Sequence, residues 1–154
     1  MAKFFPHREL TSKFLKICFE INTEYGPHHN ERIYHALLVE KLTRDCLPFI
    51  SKPKISVYSK DSGKEIGFYV PDFVIDNSVI VELKVSRLPL KQDEIQLLEY
   101  LKTTPYEVGY IVNFGTLRLY FKRIIYTNDR KNLLSDKQSL SLRDKQSLLL
   151  RNKK

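Results

Sequence analysis

Residues 71–84 read Pro-Asp-Phe-Val-Ile-Asp-Asn-Ser-Val-Ile-Val-Glu-Leu-Lys. Two arms rich in Val, Ile, Leu and Phe, Asp72–Ile75 and Val79–Val85, flank the turn-forming triplet Asp76-Asn77-Ser78, a pattern that predicts a β-hairpin. With a three-residue loop, Ile75 pairs with Val79, and Asp72 falls opposite Glu82. Strand side chains alternate between faces, so Lys84 joins the face of the two acids. Phe73, Ile75, Val79, Val81, Leu83 and Val85 take the other face. A two-residue loop would instead send Asp72 and Glu82 to opposite sides. Facing residues have Cβ atoms about 4.5–5.5 Å apart, where like charges destabilise the pair. The arrangement therefore needs a counter-charge. Lys84 is one candidate; a divalent cation is the better one, since Mg²⁺ is usually held by one or two carboxylates plus waters and phosphates.

Upstream of this hairpin, Leu10, Phe14, Ile17, Cys18 and Ile21 recur at helical spacing and predict an amphipathic helix over about Arg8 to Tyr25. Gly26-Pro27 ends it. A second helix is expected from about His28 to Asp45, with Tyr34, Leu37, Leu38 and Leu42 on one stripe and Glu31 beside that stripe. Strands follow at Lys54–Ser59 and Lys64–Val70, joined by a turn at Asp61-Ser62-Gly63, the second running on into the central hairpin. Pro71 inside that long strand calls for an edge, bulge or kink. Downstream come a helix over about Lys91 to Thr103, with Ile95, Leu98 and Leu101 inward, a strand at Val108–Phe114 apolar enough to be covered on both faces, and a last strand at Leu117–Ile125. The expected fold class is α/β (α+β): a mixed sheet of about five strands flanked by helices.

The chain of 154 residues is long enough for a hydrophobic core, and its 42% apolar and 29% charged fractions are those of a globular protein. No run of about 18 apolar residues offers a membrane span, and the charged N-terminus is unlike a signal peptide, so a cytoplasmic setting is expected. Cys18 and Cys46 read as buried free thiols. The formal charge of +8 invites a nucleic-acid partner, but residues 129–154 hold eight Lys or Arg against three Asp, leaving only +3 for residues 1–128. Residues 136–143 (DKQSLSLR) recur as 144–151 (DKQSLLLR) with one change. The expected division is accordingly a domain over 1–126 and a basic, Leu-rich tail over 127–154, the tail being a candidate surface for homodimer formation or a protein partner.

In block order the chain resembles the GxxExxY family of the PD-(D/E)XK nuclease superfamily. The resemblance covers roughly residues 22–125. It rests on Gly26-Pro27 before Glu31-Arg32-Ile33-Tyr34, Pro71-Asp72, Val81-Glu82-Leu83-Lys84, residues 96–102 (QLLEYLK), Val108-Gly109, Asn113-Phe114-Gly115 and Lys122-Arg123-Ile124-Ile125. His28 stands at the position of the family's first-named glycine. The resemblance implies a restriction-endonuclease-like core in αβββαβ order. It also implies that Asp72 and Glu82 bind Mg²⁺ or Mn²⁺, that Glu31 completes the acidic cluster, that Lys84 assists the attacking water, and that Gln96 lies near the site.

A metal held by Asp72 and Glu82 would acidify a bound water and polarise a phosphoryl oxygen, and the Leu83 carbonyl is a further hard-oxygen ligand on the same strand. Two neighbouring carboxylates favour the charged form of Lys84, so orientation and electrostatics suit it better than general-base work. The expected function is Mg²⁺-dependent hydrolysis of DNA phosphodiester bonds. The alternative is a module on a nuclease fold that binds nucleic acid or protein without cutting. Bland readings of the same residues stand beside these: a structural ion cluster for Asp72, Glu82 and Lys84, a first-turn acid favoured by the helix dipole for Glu31, and an ordinary exposed helix position for Gln96.

Overall fold

The computed structural model describes residues 6–131, and the duplicated segment with the role expected of it lies outside them. The elements run α1 (Arg8–Tyr25), α2 (Glu31–Arg44), β1 (Phe49–Ser51), β2 (Ile55–Tyr58), β3 (Glu65–Tyr69), β4 (Phe73–Ile75), β5 (Val79–Lys84), α3 (Lys91–Thr103), β6 (Val108–Asn113) and β7 (Tyr120–Ile125). Five strands form one mixed sheet in the order β1-β4-β5-β6-β7. Only β5 and β6 are parallel, and the link between them contains α3, as a parallel pair needs a crossover connection.

Alternation along the strands divides the core between the two faces of the sheet. Phe73, Ile75, Val79, Val81 and Leu83 meet Phe14, Ile17 and Ile21 of α1 and Tyr34, Leu38 and Leu42 of α2. On the opposite face, Val74, Ile80 and Ile111 meet Leu97, Tyr100 and Leu101 of α3. Every residue of β6 is buried, as its unbroken apolar run anticipates. The two helices of the first layer are tied by Lys41, whose ammonium lies 2.8 Å from both Glu20 and Glu24.

Several local expectations give way. The second helix starts at Glu31, not His28, because the Asn30 side chain accepts the Ile33 N–H at 3.2 Å and caps it there. The long strand divides at Pro71, so β2 and β3 form a separate two-stranded sheet. The three-residue strand β1, between Pro48 and Pro53, carries too short a pattern to be read from sequence. Cys18 is buried, but Cys46 is exposed. On α3 the inward residues are Leu97, Tyr100 and Leu101, while Ile95 is 53% exposed. Leu97 decides this phase: it sits where Gly109 offers no side chain, and a Cβ added there would lie 2.8 Å from Leu97 Cδ1.

That fit predicts that Gly109→Ala destabilises the protein by roughly 1–3 kcal/mol in denaturant unfolding, as overpacking does. Adding Leu97→Ala should cost less than the sum of the two single changes. Strict additivity in the double-mutant cycle would show that the two residues do not compete for the same space.

Candidate active site

The geometry starts at the tight connection between β4 and β5. Asp76 and Asn77 both take positive φ, 45° and 50°, a backbone that Asp and Asn adopt more readily than other side chains. The Ser78 N–H donates to the Ile75 carbonyl at 2.9 Å, and the Ser78 hydroxyl donates to the Asp76 carbonyl at 2.9 Å. The loop is three residues long, and the register is Ile75 with Val79, Val74 with Ile80 and Phe73 with Val81. One step further out, Asp72 and Glu82 come together. The Leu83 N–H donates to Asp72 Oδ2 at 2.8 Å, and the Glu82 carboxyl stands close enough to that of Asp72 for each to act directly on the other.

Both acids are half-buried, on the side of the sheet that α3 covers. Burial first, then the charge of Asp72, push Glu82 up to about 8; the Lys84 ammonium works against them. Lys84 lies 3.8 Å from Asp93 at the start of α3, a partner that the strand pattern alone did not reveal. Glu31, the first residue of α2, is exposed as a residue, yet its carboxyl is raised by partial desolvation and then by Asp72, with Lys84 and Lys52 opposing. It therefore stands within electrostatic reach of the pair without joining it. Among the described residues, no group of three or more His, Cys, Asp or Glu is gathered closely enough to hold a metal.

Gln96 is exposed on α3, and its Nε2 donates to the Tyr100 hydroxyl at 2.9 Å. Tyr100 is itself held above its ordinary pKa, first by burial and then by the negative charge of Glu82. Gln96 thus reaches the acids through one intervening ring. The inward stripe expected from Ile95, Leu98 and Leu101 gave no sign of this contact.

Further residues hold the frame. His35 stacks on Phe73 with ring centroids 4.4 Å apart, and its Nε2 lies 3.1 Å from the Ser51 hydroxyl. The Lys52 N–H donates to the Asp72 carbonyl, at 2.9 Å. At the other end of β5, buried Asn113 accepts from the Ser86 and Gly115 N–H groups and donates to the Ser86 carbonyl. Tyr34 stacks on Phe114 at 4.5 Å and donates its hydroxyl to the Gly26 carbonyl, which fixes the loop that leads to Glu31. An Asn two residues before a Gly, as in Asn113-Phe114-Gly115, is a weak sequence signal for the Asn113 clasp.

The donor set suits a hard cation. Two carboxylates in contact, one of them resisting ionisation, carry an excess of negative charge that a divalent ion would relieve, and Mg²⁺ needs only one or two protein carboxylates.

The family model described as the PD-(D/E)XK nuclease superfamily matches residues 8–124. No curated protein matches the chain. Among solved structures, the crystal structure of SSO0001 is similar at 19% identity and a TM-score of 0.51, over 91% of this chain and 88% of that one. The crystal structure of an alkaline exonuclease (LHK-Exo) from Laribacter hongkongensis shares 13% identity at a TM-score of 0.38, over 99% of this chain and 87% of that one. The first likeness bears on fold alone; the second is too distant to carry an argument.

The raised Glu82 carboxyl fixes a sign for the pH dependence of stability without metal. The folded state holds this proton up to about 8 while the unfolded chain releases it near 4.5, so stability contributed here is present at low pH and is lost as pH rises across that window. In EDTA, Glu82→Gln should raise the melting temperature by roughly 3–8 °C at about pH 8.5 and by little at about pH 5. A loss at the higher pH, or an equal gain at both, would refute the facing-acid account.

Proposed function

The chain belongs to the PD-(D/E)XK nuclease superfamily, and from that premise we propose that it is a divalent-metal-dependent nuclease that hydrolyses DNA phosphodiester bonds, of the GxxExxY type. Members of the superfamily generally use divalent metal ions. The observation that carries the reading is the contact between Asp72 and Glu82 on the face they share with Lys84. A purely structural ion cluster would gain little from two acids set against one lysine.

Asp72 and Glu82 are the proposed ligands of Mg²⁺ or Mn²⁺, with the Leu83 carbonyl as a backbone ligand and Glu31 as an accessory acid. Such an ion, when bound, supplies an acidified water and neutralises charge on the phosphoryl group. The protein's own contribution is positional. The Leu83 N–H fixes one oxygen of Asp72 and so sets the orientation of its carboxylate beside Glu82. Lys84, drawn toward Asp93 from the same strand face, offers an ammonium to orient the attacking water and to stabilise charge developing on the phosphate. Gln96 steadies the Tyr100 ring beside Glu82. The setting proposed is cytoplasmic; among the described residues no helix is long and apolar enough to cross a membrane.

Incubation with supercoiled, linear and single-stranded DNA tests the reading. Cutting should require Mg²⁺ or Mn²⁺, stop in EDTA, and fall at least about 100-fold in both Asp72→Asn and Lys84→Ala. Undiminished cutting by Asp72→Asn would exclude these residues as its source. Binding without cutting by the unmodified protein would favour the non-cleaving module.

A further inference from the structure

An open groove of about 1370 Å³ lies between the β2–β3 sheet, the β4–β5 turn and the end of α3. It is larger than the roughly 300–1,000 Å³ usual for small-molecule pockets, and it suits a polymer better than a metabolite. Lys54, Lys60, Lys102 and Lys131 line it, against the single carboxylate of Glu107. Lys131 is committed to the wall, donating to the Thr104 and Tyr106 carbonyls at 2.7 and 2.8 Å. Lys54, Lys60 and Lys102 lie at the surface or partly so; Lys54 is 4.6 Å over the Phe68 ring and 3.4 Å from Glu65, and Lys102 is 2.8 Å from Glu99, both pairs exposed enough to exchange for a phosphate.

Between these cations the lining is apolar and exposed: Tyr58 is 58% and Ile66 68% open to solvent. Both belong to the small sheet that Pro71 separates from the main one. A chain of side-chain contacts links the groove to the candidate active site. Thr103 lines it and donates to the Tyr69 hydroxyl at 3.3 Å; the Tyr69 ring lies tilted against Tyr100 with centroids 3.9 Å apart; and Tyr100 feels the charge of Glu82. Asp72 and the β4–β5 turn that lines the groove are separated by roughly 10 Å of extended strand, within reach of a short oligonucleotide.

Lysines alternating with exposed aromatic and aliphatic surface match a strand whose bases are unpaired, since stacking faces are available only there while phosphates meet the ammonium groups. A duplex would use the lysines and leave Tyr58 and Ile66 uncovered. We propose that this groove binds single-stranded nucleic acid and feeds it past the Tyr69–Tyr100 pair to Asp72 and Glu82. The substrate class rests on the nuclease reading above, but occupancy of the groove can be measured without catalysis.

The test is fluorescence anisotropy with the full chain in EDTA, using a labelled single-stranded oligonucleotide and its duplex over a range of salt, with melting temperatures read alongside. The single strand should bind the more tightly. Lys54→Ala/Lys60→Ala should weaken it at least about 10-fold and make the salt dependence shallower by about 1.4 in log–log slope, at about 0.7 per lost phosphate contact. Tyr58→Ala should weaken it by about 5- to 100-fold with the slope unchanged. Lys13→Ala, on exposed α1 and paired with Glu9, is the control that should bind normally. Preference for duplex, absence of oligonucleotide binding, or normal binding by folded groove variants would each overturn the proposal, the last pointing to a protein as occupant. Metal-dependent cutting that persists in such variants leaves the nuclease reading intact, and metal-free binding without cutting leaves the groove intact.

Discussion

Two carboxylates are held against each other because a three-residue loop permits no other register. Ile75 must meet Val79, and each further pair along β4 and β5 is then fixed, out to Asp72 and Glu82. A slip by one residue would turn Phe73, Val81 and Leu83 away from α1 and α2, losing a buried cluster. The energy that stabilises the hydrophobic face therefore enforces an unfavourable contact on the opposite face. Apolar burial, at about 25 cal/mol per Å² over several fully buried side chains, outweighs the repulsion of one carboxyl pair that can retain a proton.

The surrounding structure reads as a set of restraints on that contact. Lys52 holds the backbone of Asp72 from the segment after β1, and His35 stacks on the neighbouring Phe73 ring from the α2 side. Asn113 clamps the chain beyond Lys84 to the end of β6. Adding a Cβ at Gly115 would bring it within 2.4 Å of Ser86 backbone atoms, so that junction requires glycine. Tyr34 locks the loop ahead of Glu31 from beneath. Each restraint acts on main chain or on a ring, which leaves the charged termini of Glu31, Lys84 and Asp93 as the adjustable part.

Much of this was legible in the sequence, for identifiable reasons. Period-two alternation and an odd loop length were enough to place Asp72 opposite Glu82, because both are properties of a local segment. Helices α1 and α3 were legible from their spacing and their Gly or Pro stops. What escaped depends on contacts distant in sequence. The phase of α3 is set by a hole above Gly109, not by the richest apolar stripe, so Ile95 was placed inward in error. The pairing of Lys84 with Asp93 joins a strand to a helix across an irregular connection. The start of α2 is a local exception, set by the single capping side chain of Asn30 three residues before Ile33. A strand of three residues such as β1 has too few positions for any period to be counted.

Pro71 has an effect that reaches beyond the strand it interrupts. By ending hydrogen-bonded continuity between β3 and β4, it makes the small β2–β3 sheet an appendage, seated mainly through Ile55 and Tyr69, whose outer half is not needed to keep the five main strands in register. Lengthening, shortening or recolouring that appendage is therefore decoupled from the spacing of the acids. In evolutionary terms the chain separates a register-fixed acid pair from a module free to diversify, and a related protein could alter residues 56–68 without moving Asp72 or Glu82.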